Sequence, residues 1–131
     1  MTTPNFEFIV EGPAVPLRVA KKNAKRYQAW KKKVREEAAK LWQSKTPVMQ
    51  DVTVTITNYY TAKPPDIDNI IKPILDALNL LVYEDDFQVQ SVTSRKFVLI
   101  DAQPEEPLML VEALKRYIEV IHIQVFWETI S

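Results

Sequence analysis

At 131 residues and 15.2 kDa the chain is the size of one ordinary domain, and its 47% hydrophobic and 26% charged residues mark a globular rather than a disordered sequence. No Cys, one His (His122) and one Gly (Gly12) exclude disulfide scaffolds, thiolate metal sites, a Cys nucleophile, His-rich zinc sites, the Walker A loop and the G-x-G-x-x-G dinucleotide fingerprint. Seventeen Lys and Arg balance seventeen Asp and Glu, yet eleven of the cations lie between Arg18 and Lys45 against only Glu36 and Glu37, so that segment carries +9 and the remainder −9. Such polarity suggests a polyanion-binding surface beside an acidic region, although a lysine run can also be a solvated helix face. The stretch from Met1 to Glu7 lacks the charged and apolar regions of a signal peptide, and no apolar run approaches the roughly 18 residues that span a bilayer. The expectation is a cytoplasmic single domain over residues 1–131 with no membrane partner.

In chain order, Phe6, Phe8 and Val10 alternate with Glu7 and Ile9, which predicts a short strand stopped by Gly12-Pro13. From about Lys22 to Gln43, Tyr27, Trp30, Val34, Ala38 and Leu41 recur at spacings of 3, 4, 4 and 3. They form one apolar stripe of an amphipathic helix, with the lysines on its other faces. Thr46-Pro47 ends it, because Pro disfavours helical geometry in the residue before it. Val52, Val54 and Ile56 alternate with Thr53, Thr55 and Thr57 ahead of Tyr59-Tyr60, the clearest strand in the sequence. Those two tyrosines fall on opposite faces, so at least one ring is expected to be exposed, as a dimer contact or a stacking platform.

After the Lys63-Pro64-Pro65 loop, Ile70, Ile71, Ile74, Leu75 and Leu78 make a second helical stripe. Asp68 or Asn69 suits its N-cap, and Pro73 must fall in or near the first turn, where few backbone hydrogen bonds are lost. Asn79 is followed by the acidic Glu84-Asp85-Asp86 and by a strand from Val92 to Ile100. Asp101 to Pro107 reads as loop, Leu108 to Arg116 as a short helix, and Tyr117 to Trp127 as a final strand bearing a structural or surface His122. The order β-α-β-α-β-(α)-β predicts an α+β domain with two main helices packed on a mixed sheet.

The chemistry-bearing constellation is Asp66, Asp68, Lys72, Asp76, Asp85 and Asp86. In an extended segment Asp66 and Asp68 point the same way, and two carboxylates aimed at one point repel unless a cation lies between them. Mg²⁺ takes hard oxygen ligands and commonly uses one or two carboxylates, with water and substrate phosphate completing its shell. If helix geometry begins by Asp68, then Asp68, Lys72 and Asp76 share a face and put an ammonium beside the metal. The same residues also have a structural reading: Asp68-Asn69 as a helix cap, Lys72 as an i,i+4 partner of Asp68, and Asp85-Asp86 as a turn. Coincidence with the +9 segment favours the metal, since carboxylates that hold a cation and bases that hold a polyanion are what phosphodiester hydrolysis needs.

The stretch Asp66-Ile-Asp-Asn-Ile-Ile-Lys72-Pro-Ile-Leu-Asp76-Ala-Leu-Asn, followed by Val82-Tyr-Glu-Asp-Asp86-Phe-Gln-Val89, closely resembles the RusA family of Holliday junction resolvases. Its pattern, D-x-D-N-x-x-K-x-x-x-D-A-L and then D-D-x-Q-V, is matched in order across residues 66–89. A looser likeness runs through the first strand with Gly12-Pro13, the Tyr27/Trp30 helix and Lys96. The resemblance implies a small homodimeric endonuclease that binds four-way and branched DNA and cuts two opposed strands with Mg²⁺, or Mn²⁺ in its place. No nucleotide or organic cofactor is expected. By the same resemblance Asp66, Asp68 and Asp86 are the metal-binding catalytic aspartates, Lys72 is the catalytic lysine, and Asp76 and Asp85 are supporting acidic positions. Arg18, Lys21, Lys22, Lys25, Arg26 and Lys63 are the candidate contacts to DNA. One departure is Asn79-Leu80-Leu81 where family members often have Gly, so Asn79 is expected to cap the helix in left-handed geometry. Two other readings stay open: a non-catalytic branched-DNA-binding protein of the same fold, and a metal-dependent phosphoryl or nucleotidyl enzyme acting on a small substrate.

Overall fold

Segments that alternate at period two and helices with one apolar stripe bury their apolar sides together when the helices lie across a sheet face. The structure, a computed structural model, describes residues 3–44, 46–61, 63–98 and 119–129. Its elements are β1 (Phe6–Glu11), α1 (Val19–Lys22), α2 (Ala24–Leu41), β2 (Val52–Tyr60), α3 (Ile71–Leu78), a single 3₁₀ turn (Asp86–Gln88), β3 (Val89–Val98) and β4 (Val120–Phe126). The strands form one sheet in the order β1-β4-β2-β3. β4 runs antiparallel to both β1 and β2, while β2 and β3 are parallel, so the sheet is mixed. The fold is thus the expected α+β arrangement with two main helices. The loop expected over 101–107, the helix over 108–116 and the ends of two strands (99–100 and 117–118) lie outside the described residues.

The register explains the core. Phe8 sits opposite Ile123, and Ile123 opposite Ile56; Val10 and Val54 likewise meet Ile121 and Val125. These side chains face one way and are fully or almost fully buried, together with Tyr27, Trp30, Val34 and Ala38 of α2 and Ile74, Ala77 and Leu78 of α3. The stripe read from the sequence is therefore the buried face of α2, except that Leu41 at its end is exposed. Tyr27 and Trp30 belong to the core rather than to a base-stacking surface. Trp42, just past the helix, packs edge-on against Phe6 and Trp127, with ring centroids 5.0 and 6.0 Å away. Gly12 sits in a tight approach: a Cβ there would lie 3.0 Å from Ile121 Cδ1 and 3.2 Å from Glu119 Cβ, so those side chains would have to shift.

Several boundaries differ from the sequence reading. The first long helix, expected from about Lys22, starts at Ala24, and a short helix α1 precedes it unexpectedly; between them Asn23 Oδ1 accepts a hydrogen bond from Arg26 N (3.0 Å) and caps α2. α3 begins at Ile71 with Ile70 in the cap position and no side-chain cap bond, so neither Asp68 nor Asn69 caps it. Pro73 occupies the third helical position, inside the first turn as expected. Asn79 is extended, and the left-handed residue is Leu80 (φ 65°). β3 starts at Val89 because its pairing with β2 begins there. Tyr59 is buried and stacks on Phe97 at 6.0 Å, and Tyr60 is only partly exposed, so neither ring stands free. His122 is buried with Nε2 2.7 Å from Glu7 Oε1, a structural role. No helix among the described residues is long and apolar enough to cross a membrane.

Candidate functional site

The site is assembled around α3, and three other segments fix where it lies. Asn69 N–H donates to Asp66 C=O (3.0 Å), which closes a turn over Asp66–Asn69. Asp66 and Asp68 therefore lie in a turn rather than in the extended segment expected, and both side chains are exposed. The turn is tied down twice. Leu17 N–H donates to Asn69 C=O (2.8 Å), and Ser94 Oγ donates to Ile67 C=O (2.6 Å). The first contact sets the beginning of the basic segment, with exposed Arg18, Lys21 and Lys22, directly against the aspartate turn. Lys25 and Arg26 follow, also exposed, in the first turn of α2, and exposed Lys63 lies on the loop leading into the turn.

Lys72 and Asp76 share a face of α3, and Lys72 Nζ donates to Asp76 Oδ1 at 3.2 Å. The i,i+4 partner of Lys72 is thus Asp76, not Asp68, because the helix begins only after Asp68. Asp76 Oδ2 lies 4.0 Å from Lys31 Nζ of α2, and Lys31 in turn lies over the Tyr27 ring at 5.3 Å from its centroid. Asp76 is therefore held between two ammonium groups, one from each main helix. Arg35 adds a second tie between these helices: Nη1 donates to the carbonyls of Ala77 (3.1 Å) and Asn79 (2.7 Å), capping the α3 C-terminus with a cation.

The second acidic group is carried by a turn with its own clamp. Asp85 is the N-cap of the 3₁₀ turn and its Oδ1 accepts from Phe87 N–H (3.2 Å). Buried Gln88 accepts at Oε1 from the N–H groups of Glu84 (2.9 Å) and Asp85 (3.0 Å). Its Nε2 donates to the carbonyls of Val48 (3.0 Å) and Gln50 (2.9 Å). The turn reading of Asp85 is correct, and Gln88 is the residue whose part sequence reasoning missed. The D-D-x-Q-V spacing carried the signal: a Gln three residues after a capping Asp completes a capping box.

The electrostatics join these pieces. Asp76's hydrogen bond and charge hold the Lys72 ammonium above the usual lysine range, with Asp86 and Tyr27 adding to the effect. A hydrogen bond shared with Asp85, then burial and the charge of Asp85, push the Asp86 carboxyl up, while Lys72 opposes the rise. Burial raises the Tyr83 hydroxyl, with Asp86 and Asp76 contributing; Tyr83 Oη donates to Leu75 C=O at 2.6 Å. Lys72, Asp76, Asp85, Asp86 and Tyr83 thus share one electrostatic neighbourhood, although they come from α3 and the turn after it. For a hard divalent cation the donor chemistry of Asp66, Asp68 and Asp86 is right. Among the described residues no three or more His, Asp or Glu side chains converge closely enough to hold a metal ion by themselves. One or two carboxylates completed by water and phosphate is the usual shell of Mg²⁺, so the residues fit that ion in the presence of a phosphate ligand.

A family model, Endodeoxyribonuclease RusA, matches residues 17–104, two thirds of the chain. The chain belongs to the RusA family of Holliday junction resolvases. Family membership brings with it endodeoxyribonuclease chemistry on branched DNA. The match starts at Leu17, whose amide is bonded to Asn69, and takes in α1, α2, β2, α3, the clamped turn and β3. All six candidate acidic and lysine positions fall within it. No curated protein matches the chain.

Proposed function

We propose that this chain resolves four-way DNA junctions as a homodimer, by Mg²⁺-dependent hydrolysis of one phosphodiester per subunit in two opposed strands. The observation that carries the reading is the Leu17–Asn69 hydrogen bond, which joins the start of a basic segment to the acidic turn just ahead of α3, the helix that carries Lys72. Arg18, Lys21, Lys22, Lys25, Arg26 and Lys63 contact the DNA backbone and orient a strand over the turn. Asp66, Asp68 and Asp86 hold Mg²⁺, or Mn²⁺ in its place. Bound there, the ion supplies Lewis acidity toward the scissile phosphate and lowers the pKa of a coordinated water.

Lys72 carries its positive charge throughout the neutral range, since Asp76 and Asp86 both favour the protonated amine. It stabilises the negative charge that accumulates on the phosphoryl oxygens as the bond breaks. Asp76 acts as a positioning residue: it fixes the ammonium by a hydrogen bond, and Lys31 balances its second oxygen. Two identical sites related by a two-fold axis match the symmetry of two opposed strands in a junction.

The test uses an immobile four-way junction and a matched duplex, with Mg²⁺ or EDTA, comparing the native chain with Asp68→Asn. Paired nicks in the junction alone, dependent on Mg²⁺ and lost in the variant while binding survives, are expected. Tight junction binding without cleavage in either Mg²⁺ or Mn²⁺ would refute the enzyme and leave a junction-binding protein.

A further inference from the structure

Met49, Leu80 and Phe87 are exposed at 70, 67 and 76%, come from three separate segments, and line one groove of about 430 Å³. The groove adjoins the clamped turn but does not include Asp86. Its walls are fixed rather than loose. Gln88 bonds the carbonyls of Val48 and Gln50 on either side of Met49, and Phe87 N–H is bonded to Asp85. Leu80 N–H donates to Tyr83 C=O at 2.7 Å, which holds Leu80 in its left-handed conformation. Left-handed backbone is unfavourable for a branched aliphatic residue, where Gly or Asn is better tolerated, and Leu80 also presents its side chain to water. Apolar side chains gathered on a rigid surface and rimmed by polar groups mark an interaction site.

The rim decides which class of partner fits. Asp51, Glu84 and Asp85 line the groove, and among the described residues no Lys or Arg does. Phosphates are repelled from such a surface, and ammonium or guanidinium groups are drawn to it. We propose that this groove docks a protein partner through a segment with apolar anchors flanked by lysine or arginine. The anchors fill the space between Met49, Leu80 and Phe87, and the basic side chains pair with the three carboxylates. None of residues 17–26, the basic segment assigned to DNA, lines the groove. The inference does not depend on the nuclease reading.

The probe is a short fluorescein-labelled amphipathic Leu/Lys peptide, with a Leu/Glu peptide of the same pattern as control, read by anisotropy on the full chain. The groove variant is Leu80→Asn with Phe87→Ser; Asn suits the left-handed position, so the variant retains its fold. A second variant, Asp51→Asn with Glu84→Gln, removes rim charge. The proposal expects the Leu/Lys peptide to bind, both variants to weaken it by about tenfold or more, and the Leu/Glu peptide to stay free. Junction binding and nicking by the groove variant should match the native chain. Equal peptide affinity for the native and groove-variant proteins would overturn the proposal. So would loss of junction binding, which would make the groove a DNA surface, or a change in oligomeric state, which would make it a contact between copies.

Discussion

Replacing Gln88 by Met keeps the length and approximate volume of the side chain but removes every hydrogen bond it makes. The structure gives the size of the effect: two backbone N–H donors (Glu84, Asp85) and two backbone carbonyls (Val48, Gln50) lose their partner at once, at a position only 4% exposed. Each such bond contributes about 0.5–1.5 kcal/mol net. The thioether regains roughly 1 kcal/mol by apolar burial, and the four orphaned groups are only part-buried, so water satisfies some of them. The expected loss is about 2–4 kcal/mol, or roughly 3–5 °C in Tm for each kcal/mol in a chain of this size. Urea unfolding followed by tryptophan fluorescence measures it directly. Junction nicking should fall further than stability alone explains, because the same clamp holds Asp85 and Asp86. A change below about 0.5 kcal/mol would refute the claim that Gln88 fixes this turn to the 48–50 segment.

Three further outcomes follow from the electrostatics. Asp85→Asn keeps an N-cap but removes the charge and the shared hydrogen bond that raise Asp86, so in metal-free protein the Asp86 carboxyl should titrate at lower pH by NMR. Asp76→Asn removes what holds Lys72 above its ordinary value. The ammonium then loses its proton at lower pH, and the alkaline decline of the nicking rate should begin earlier, with junction affinity little changed and Asp76→Glu partly restoring the profile. Lys21→Gln with Lys22→Gln should reduce the slope of log binding constant against log salt by about 1.8 if each lysine neutralises one phosphate, as filter binding over a salt series would reveal.

How much of this was legible in the sequence depends on how local each cause is. β1, β2 and the α2 stripe were readable because period two and period 3.6 are set by the residues themselves. The start of α3 was not. Asp68 and Asn69 are good caps by type, but the Asp66–Asn69 turn and the Leu17–Asn69 bond hold that stretch in another conformation. The short α1 ahead of Asn23 was not read, although Asn is a strong cap and marks the start of α2 within two residues of the expected one. The acidic positions stood out by spacing, yet the partner of Lys72 was misread because it depends on where the helix begins. Lys31 at Asp76 and Gln88 at the 48–50 carbonyls involve residues about 40 or more positions apart, and no local pattern encodes such a meeting. At least one of Tyr59 and Tyr60 was expected to be exposed because the two alternate, but both faces of β2 are covered there, leaving Tyr59 buried and Tyr60 half-buried.

The strand order also dictates a sequence of events during folding. β1 and β2 are not paired with each other; β4, residues 120–126, lies between them and bonds to both. Among the described residues β1 pairs only with β4, so it stays unpaired with them until residues 120–126 have been made. β2, α3 and β3, which carry the aspartates and Lys72, are contiguous and can associate much sooner. Closing the first strand onto the rest spans more than a hundred residues, the kind of distant pairing that slows folding. During synthesis the unpaired edges of β1 and β2 are open to wrong partners, so assembly of this sheet should be the slow, aggregation-exposed step and formation of the nuclease half the early one.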